Sequence, residues 1–142
     1  RTQLASLCAP WGPFLGAAIE GPSLDSIHRE YDLGEASGAL KVWIYETHGL
    51  EPCVVEPTRL KKYATGTGQA DKSAVMEYVV RSLHFPVTGD DAADAAVLAH
   101  IAFSLAVPGR PATRAQAEVL HDLRQPRPTV RRDTKRSKGI NV

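Results

Sequence analysis

The run Phe14-Leu15-Gly16-Ala17-Ala18-Ile19, which is followed by Glu20-Gly21-Pro22, decides the expected fold class. The run is short and apolar throughout, with no alternation of polar residues. This pattern predicts a strand that is buried on both faces, as in a sheet covered by helices. A second apolar run from Pro52 to Glu56 predicts another strand of the same kind.

Helical patterns separate and follow these two predicted strands. Apolar spacing predicts helices over residues 30–47, 70–84, 90–107 and 113–123, whereas residues 57–69 are expected to form a polar, glycine-containing loop. Strands alternating with helices indicate an α/β architecture. Two strands are too few for a stable sheet, and the chain begins with Arg1, so we expect opening strands that this sequence does not contain.

Charge divides the 142 residues unevenly. We expect one domain over residues 1–123 and a basic, flexible tail over residues 124–142, which holds seven Lys/Arg against Asp133 alone. Such a tail points to an anionic polymer as partner, most often nucleic acid, and a merely solubilising role is the alternative. No apolar run suits a membrane span, and neither Cys8 nor Cys53 has zinc spacing, which favours free thiols in a reducing compartment.

Asp91 and Asp94 lie three residues apart at the start of a predicted helix, so they share a face. Asp90 and Asp91 could simply favour the helix dipole, and Thr88 could form a capping box with Asp91. Asp94 is in line with the buried stripe of the helix, so its carboxylate needs a compensating charge. An arginine or a metal ion could supply that charge.

Two glutamates, Glu20 and Glu56, end the predicted strands, where α/β sheets open a ligand crevice. Position alone does not choose between them. Hard oxygen ligands without a histidine cluster indicate Mg²⁺ or Mn²⁺ rather than zinc. Two such ions could activate water and stabilise the leaving oxygen in phosphodiester cleavage. His100 is expected to be a packed or capping residue.

Cations surround the glycine-containing segment Thr65-Gly66-Thr67-Gly68. Backbone N–H groups and ammonium groups could together hold successive phosphates, and an exposed charged loop is the alternative. The candidate DNA-binding residues are Arg59, Lys61, Lys62, Thr65, Gly66, Gly68 and Lys72.

These segments, in this order, resemble RuvC-like Holliday junction resolvases over roughly residues 14–107. The likeness lies in Ile19-Glu20-Gly21, the small-residue helix around residues 33–38, the Lys61–Lys72 segment and Asp91-Ala92-Ala93-Asp94-Ala95. The resemblance implies a ribonuclease H-like fold, a sheet flanked by helices, with its opening strands absent from this sequence. It also implies a cytoplasmic enzyme of a bacterial or phage-infected cell.

The activity that the resemblance implies is Mg²⁺-dependent nicking of four-way DNA junctions by a homodimer. Two Mg²⁺ ions, which Mn²⁺ can replace, would be held by Glu20, Asp91 and Asp94 in each active site. Lys61 and Lys72 match lysines near the scissile phosphate, which makes Lys72 a candidate catalytic residue, and helix 30–47 matches the dimer interface. Glu56 does not match a ligand position.

One departure from the family keeps other functions open. The family's first metal-binding aspartate lies on an opening strand, yet residues 1–19 contain no Asp or Glu. A non-catalytic module that binds DNA junctions is therefore an alternative. A nuclease of the same fold that acts on other branched nucleic acid is a further one.

Overall fold

The computed structural model describes residues 3, 6, 8, 13–21, 30–109 and 113–125, with only the backbone for 30–33. Within residues 13–21, 30–109 and 113–125 the chain forms two short strands and five helices. The elements are β1 (Ala18–Glu20), α1 (Glu30–His48), β2 (Cys53–Val55), α2 (Pro57–Thr65), α3 (Lys72–Ser82), α4 (Asp90–Ala106) and α5 (Arg114–Arg124). In these ranges no helix combines the length and the hydropathy needed to cross a bilayer.

The two strands are parallel, with Ile19 opposite Val54. Hydrogen bonds extend the pairing at both ends, from Cys53 N to Ala17 O (2.8 Å) and from Gly21 N to Val55 O (2.7 Å). Parallel strands need a crossover connection, and α1 lies in that connection. The pairing places Glu20, the last residue of β1, at the carboxyl edge of this small sheet.

The prediction of an α/β architecture with a ribonuclease H-like sheet flanked by helices is wrong, because the described part of the chain is mostly helical. Only three residues of each apolar run pair as strand, and across the described ranges β1 and β2 pair only with each other. Phe14 and Leu15, at the start of the first run, are 37% and 66% exposed rather than buried. Helices dominate the structure because an apolar run becomes a strand only where a neighbouring backbone pairs with it.

The core lies between helices α2 to α5, with β2 contributing Val55. Each helix supplies apolar side chains at helical spacing, and their burial is the main force that holds the helices together. The core residues are Val55, Leu60, Tyr63, Val75, Val79, Ala93, Val97, Ile101, Val119 and Leu120. The segment before β1 passes close to α4, since a Cβ on Gly16 would lie 3.1 Å from the carbonyl oxygen of Ala102.

Helix α2 replaces most of the loop that was expected over residues 57–69. Pro57 occupies the first turn, where its missing N–H costs nothing, and Gly66 ends the helix with φ +90°. Leu60 and Tyr63, three residues apart, are both 2% exposed. Proline, a buried pair at helical spacing and a closing glycine are helix signals that the polar composition obscured.

The other helices confirm the sequence pattern closely. Helix α3 begins at Lys72 rather than at residue 70, because the Asp71 carboxylate caps it by accepting a hydrogen bond from Ala74 N (2.8 Å). Helices α1, α4 and α5 begin and end within one residue of the expected positions. The last described residues are Arg124, which ends α5, and Gln125, so residues 126–142 of the expected tail lie outside the described ranges.

Helix α1 has an exposed, thin face. A Cβ on Gly34 or Gly38 would meet nothing within 4 Å, so no described residue of this chain requires the missing side chains. Val42 and Tyr45 on the same helix are 49% and 65% exposed. In the part of the chain that the structure describes, neither glycine therefore has a close neighbour.

Candidate active site

Three of the predicted site residues, Glu20, Asp91 and Asp94, interact electrostatically in the folded chain. Glu20 ends β1, whereas Asp91 and Asp94 lie in the first turns of α4. Burial raises the pKa of Glu20 above its ordinary value, and the carboxylates of Asp94 and Asp91 raise it further. The fold thus brings together acids that are about seventy residues apart in sequence.

Asp94 experiences the same two effects. Burial raises the pKa of Asp94 first, and the negative charges of Asp90 and Asp91 add to the rise, whereas Lys72 and Lys61 lower it. The Asp94 side chain is half-buried beside the buried residues Ala93 and Val97. Its charged form is therefore disfavoured, and a nearby cation would relieve this cost.

Lys72 lies within this acidic group. Its ammonium group donates a hydrogen bond to Asp90 Oδ2, which raises the pKa of Lys72 and lowers the pKa of Asp90. The same ammonium group lowers the pKa of Glu20 and of Asp94. One lysine charge thus partly compensates four carboxylates, and the group remains net negative.

The chemistry of these carboxylates suits a hard divalent cation, because oxygen donors are the ligands that Mg²⁺ prefers. Their geometry is more open than a coordination sphere: within the described ranges no three His, Cys, Asp or Glu side chains are close enough to hold a metal ion together. The carboxylates influence one another through space without converging on a single point. The oxygen donors are of the type that magnesium prefers, but the carboxylates would have to move closer together to bind one ion.

Glu56, the second strand-end glutamate, has a different environment. It is the N-cap residue of α2 and pairs with Arg59 Nε at 3.4 Å, one turn along the helix. Sequence position alone left Glu20 and Glu56 equivalent. In the fold, Glu20 interacts electrostatically with Asp94 and Asp91, whereas Glu56 pairs with Arg59.

The predicted DNA-binding cations divide into two groups. Lys61 and Lys72 act on the carboxylates, since both lower the pKa of Asp94. Lys62 instead pairs with Glu118 Oε2 on α5 at 3.0 Å, and this contact lowers the pKa of Glu118. Arg59 pairs with Glu56. Lys62 and Arg59 therefore have intrachain partners that hold helix ends in place.

The segment Thr65–Gly68 is a helix ending rather than an open phosphate loop. Gly66 N donates to Lys62 O (2.9 Å), and the Thr65 hydroxyl donates to Lys61 O (2.9 Å). A Cβ on Gly68 would lie 3.1 Å from the carbonyl oxygen of Thr58, so this glycine permits the chain to pass close to the first turn of α2. The Gly66 amide thus already has a backbone acceptor.

A polar network lies beneath the site and joins α2, α3, α4 and α5. The Tyr63 hydroxyl is 3.0 Å from both His100 Nδ1 and Ser104 Oγ, and the Tyr78 hydroxyl is 3.4 Å from His100 Nδ1. Gln116 Nε2 donates to the Tyr78 hydroxyl at 2.8 Å. His100 is accordingly a packed residue, as the sequence suggested, and the network fixes the helices that carry the acids and lysines.

Sequence reasoning missed the partners Asp90 and Glu118. Asp90 was attributed to the helix dipole, and the proposed capping box of Thr88 and Asp91 does not form, because Gly89 is the N-cap residue of α4 without a side-chain cap. Lys72 and Asp90 are eighteen residues apart, and Lys62 and Glu118 are further apart still. No local sequence signal joins residues at such separations.

Comparison of the chain with protein-family models gives no match, and comparison with curated proteins gives none either.

Proposed function

We propose that the chain is a magnesium-dependent endonuclease that resolves four-way DNA junctions. The observation that supports this proposal best is the raised pKa of Glu20, which is caused in part by Asp94 and Asp91. Perturbed acids that face a lysine are characteristic of functional sites, although ion-pair networks also perturb pKa values. The resemblance of the sequence to RuvC-like resolvases supplies the substrate class.

Under this proposal Glu20, Asp91 and Asp94 hold Mg²⁺. If bound there, Mg²⁺ would supply a water of lowered pKa and would stabilise the leaving oxygen, the two effects by which such ions assist phosphodiester hydrolysis. Each carboxylate must be ionised to act as a ligand, and the cation would reverse the unfavourable repulsion that raises the pKa of Glu20 and Asp94. The negative group would then become a surface that accepts a phosphate.

Lys72 and Lys61 serve as phosphate-binding residues in this scheme. The Lys72 side chain is 73% exposed even while it pairs with Asp90, so a phosphate oxygen can approach it from solvent. A DNA phosphate would compete with Asp90 for this lysine. Lys62, which pairs with Glu118, has a smaller part because DNA binding would have to break that ion pair.

A homodimer through α1 completes the proposal, because paired nicks on a four-way junction require two sites. Gly34 and Gly38 leave open space along this helix, and Val42 and Tyr45 add exposed apolar surface. Small residues allow two helices to approach closely, and the buried area would offset the loss of freedom on association. We expect Gly38→Leu to convert a dimer to monomer in sedimentation experiments.

The control for this variant is Glu77→Leu, which places the same side chain on the exposed surface of α3. This variant should sediment as the unaltered chain does. If Gly38→Leu leaves the sedimentation coefficient unchanged, α1 is not the interface.

The decisive experiment for the activity uses labelled four-way junctions, flaps and linear duplexes with Mg²⁺. We expect symmetric nicks in the junction alone. Asp94→Asn should lower the cleavage rate at least about 100-fold, since a metal ligand is lost, while junction binding persists. Glu77→Gln, an exposed acid on α3 outside the site, should cleave normally. Normal cleavage by Asp94→Asn would refute the metal assignment, and equal cleavage of flaps would broaden the substrate to branched DNA.

The open spacing of the carboxylates favours one alternative, a junction-binding module without catalytic activity. Within the described ranges no group of acids is close enough to hold a metal ion. Such a module would bind junctions tightly, with an affinity that falls steeply as salt rises, and would cut none of them with Mg²⁺ or Mn²⁺. The cleavage experiment separates the two functions directly.

A further inference from the structure

Lys72 occupies a position that helix stability does not explain. It is the first residue of α3, where the positive end of the helix dipole disfavours a cation. Asp90 is the first residue of α4, and the dipole of that helix favours it. The hydrogen bond that the Lys72 ammonium group donates to Asp90 Oδ2 therefore joins the N-terminal ends of two helices and offsets the unfavourable position of the lysine.

The ion pair of Lys72 and Asp90 is exposed enough for its partners to be exchanged. The Lys72 side chain is 73% exposed, and the Asp90 side chain is 40% exposed. Water screens an ion pair of this kind, so the pair contributes little to stability and another anion can replace Asp90. A buried pair would resist such an exchange, because separating it would leave a buried charge without a partner.

The same ammonium group also interacts electrostatically with the three proposed metal ligands. Lys72 acts on Glu20 and on Asp94, and the charge of Asp91 acts on Lys72 in turn. In the chain without a divalent ion, four acids thus attract this one lysine. A DNA phosphate that approaches Lys72 has to compete with Asp90 through a hydrogen bond and with the other three acids through their charge.

We propose that Asp90 is a positioning residue, which holds Lys72 beside the acids until a DNA phosphate replaces Asp90 as the partner of the lysine. This inference rests on the proposed function, because it assigns Lys72 to phosphate and the other acids to Mg²⁺. Carboxylates that hold Mg²⁺ attract Lys72 less, so the lysine becomes more available to phosphate. By linkage, a phosphate that holds Lys72 leaves the carboxylates more available to Mg²⁺, and the two ligands strengthen each other's binding.

Junction binding in the presence of a chelator tests the competition. Asp90→Asn should tighten the binding of a four-way junction at least about threefold at low salt, because an amide is a weaker partner for Lys72 than a carboxylate. In a chain that also carries Lys72→Gln, Asp90→Asn should lose most of this effect, since the lysine for which it competes is gone. Glu77→Gln is the matched control, because Glu77 is an exposed acid that pairs with Arg81 on α3 at 3.1 Å, and it should leave junction binding unchanged.

Metal binding without DNA tests the other half of the exchange. In calorimetry with Mn²⁺, Lys72→Gln should bind the ion at least about threefold more tightly than the unaltered chain, because a competing positive charge is removed from the acids. Lys62→Gln is the control, since Lys62 pairs with Glu118 on α5. Its affinity for Mn²⁺ should equal that of the unaltered chain.

Junction binding that Asp90→Asn leaves unchanged or weakens would overturn the proposal. An equal tightening with and without Lys72 would also overturn it, because that effect would reflect net charge alone. Mn²⁺ binding by Lys72→Gln that is equal, weaker or absent would do the same. Neither measurement needs cleavage, so a chain that shows both effects but cuts no junction would refute the endonuclease and keep the exchange at Lys72. Cleavage without these effects would have the opposite meaning.

Discussion

Burial and the repulsion of neighbouring carboxylates both raise the pKa of Asp94. Its pKa is raised, so the folded chain holds a proton at this residue more readily than the unfolded chain does. The stabilising contribution of that proton is complete below the unfolded pKa and is lost as pH rises through the raised folded pKa. At neutral pH the ionised carboxylate therefore weakens the fold.

We predict that Asp94→Asn raises the free energy of unfolding at pH 7 without divalent ions. The gain should stay below about 1 kcal/mol because Asp94 is partly solvated, and it should vanish as pH falls through the raised pKa of Asp94. Urea denaturation at several pH values measures it. Asp71→Ala provides a control of opposite sign, because the lowered pKa of this capping carboxylate marks it as stabilising when ionised. A loss of stability in Asp94→Asn at pH 7 would show that the ionised Asp94 carboxylate does not weaken the fold.

Tyr63 is 2% exposed and bonds to both His100 and Ser104. Tyr63→Phe keeps the ring in the core but deprives buried polar partners of the hydroxyl, so we expect a loss of about 1–3 kcal/mol in the free energy of unfolding. Chemical denaturation measures the loss. Tyr45→Phe removes a hydroxyl from a side chain that is 65% exposed and should change stability by less than about 0.5 kcal/mol. Equal effects of the two variants would show that the buried network adds nothing.

At the scale of elements, α5 depends on its first turn. The Thr113 hydroxyl accepts from Gln116 N at 3.3 Å, and Gln116 Oε1 accepts from Thr113 N at 3.1 Å, which forms a complete capping box. The same Gln116 donates to Tyr78, so the cap also aligns the buried network. A single residue thus joins the start of α5 to α3.

Thr113→Ala should lower the free energy of unfolding by about 1 kcal/mol, because the Gln116 amide at the helix start loses its side-chain acceptor. Thermal or urea denaturation measures it. Thr88→Ala is the matched control: Thr88 is exposed and precedes α4, whose cap residue is Gly89, so its change should stay within about 0.5 kcal/mol. A larger loss in Thr88→Ala than in Thr113→Ala would reverse the assignment of caps.

At the scale of the whole molecule, the carboxylates couple β1 to α4. Strand and helix bring like charges together, and an added cation would relieve the resulting repulsion. Metal binding to the folded chain should therefore stabilise the entire domain and not one helix.

We predict that Mg²⁺ raises the thermal midpoint of the unaltered chain. At a concentration one hundred times the dissociation constant the stabilisation is about 2.7 kcal/mol for one site. Chelation should reverse the shift, and Asp94→Asn should abolish most of it, whereas Glu77→Gln should retain it. Calorimetric scans measure the midpoints. If Asp94→Asn and the unaltered chain respond equally, the ion binds elsewhere.

Local sequence patterns determined most of the helices. The spacing of Val97 and Ile101 in α4, the capping signal of Thr113 and Gln116 in α5, and the N-cap residue Asp71 of α3 all act within a few residues, where sequence order and spatial neighbourhood coincide. The grouping of Asp91 with Asp94 is readable for the same reason. Continuous apolar runs were less informative, because such a run does not determine whether a neighbouring strand will pair with it.

The tertiary structure alone decided which distant residues interact. In the fold, Glu20 interacts with Asp94 and Asp91, whereas Glu56 pairs with Arg59. Lys72 pairs with Asp90, and Lys62 pairs with Glu118. The described part of the expected sheet consists of two short strands. Electrostatic pairing depends on separation in space, and packing of the whole chain fixes that separation. The sequence determines which charged residues are present, and the folded backbone determines which of them lie close enough to interact.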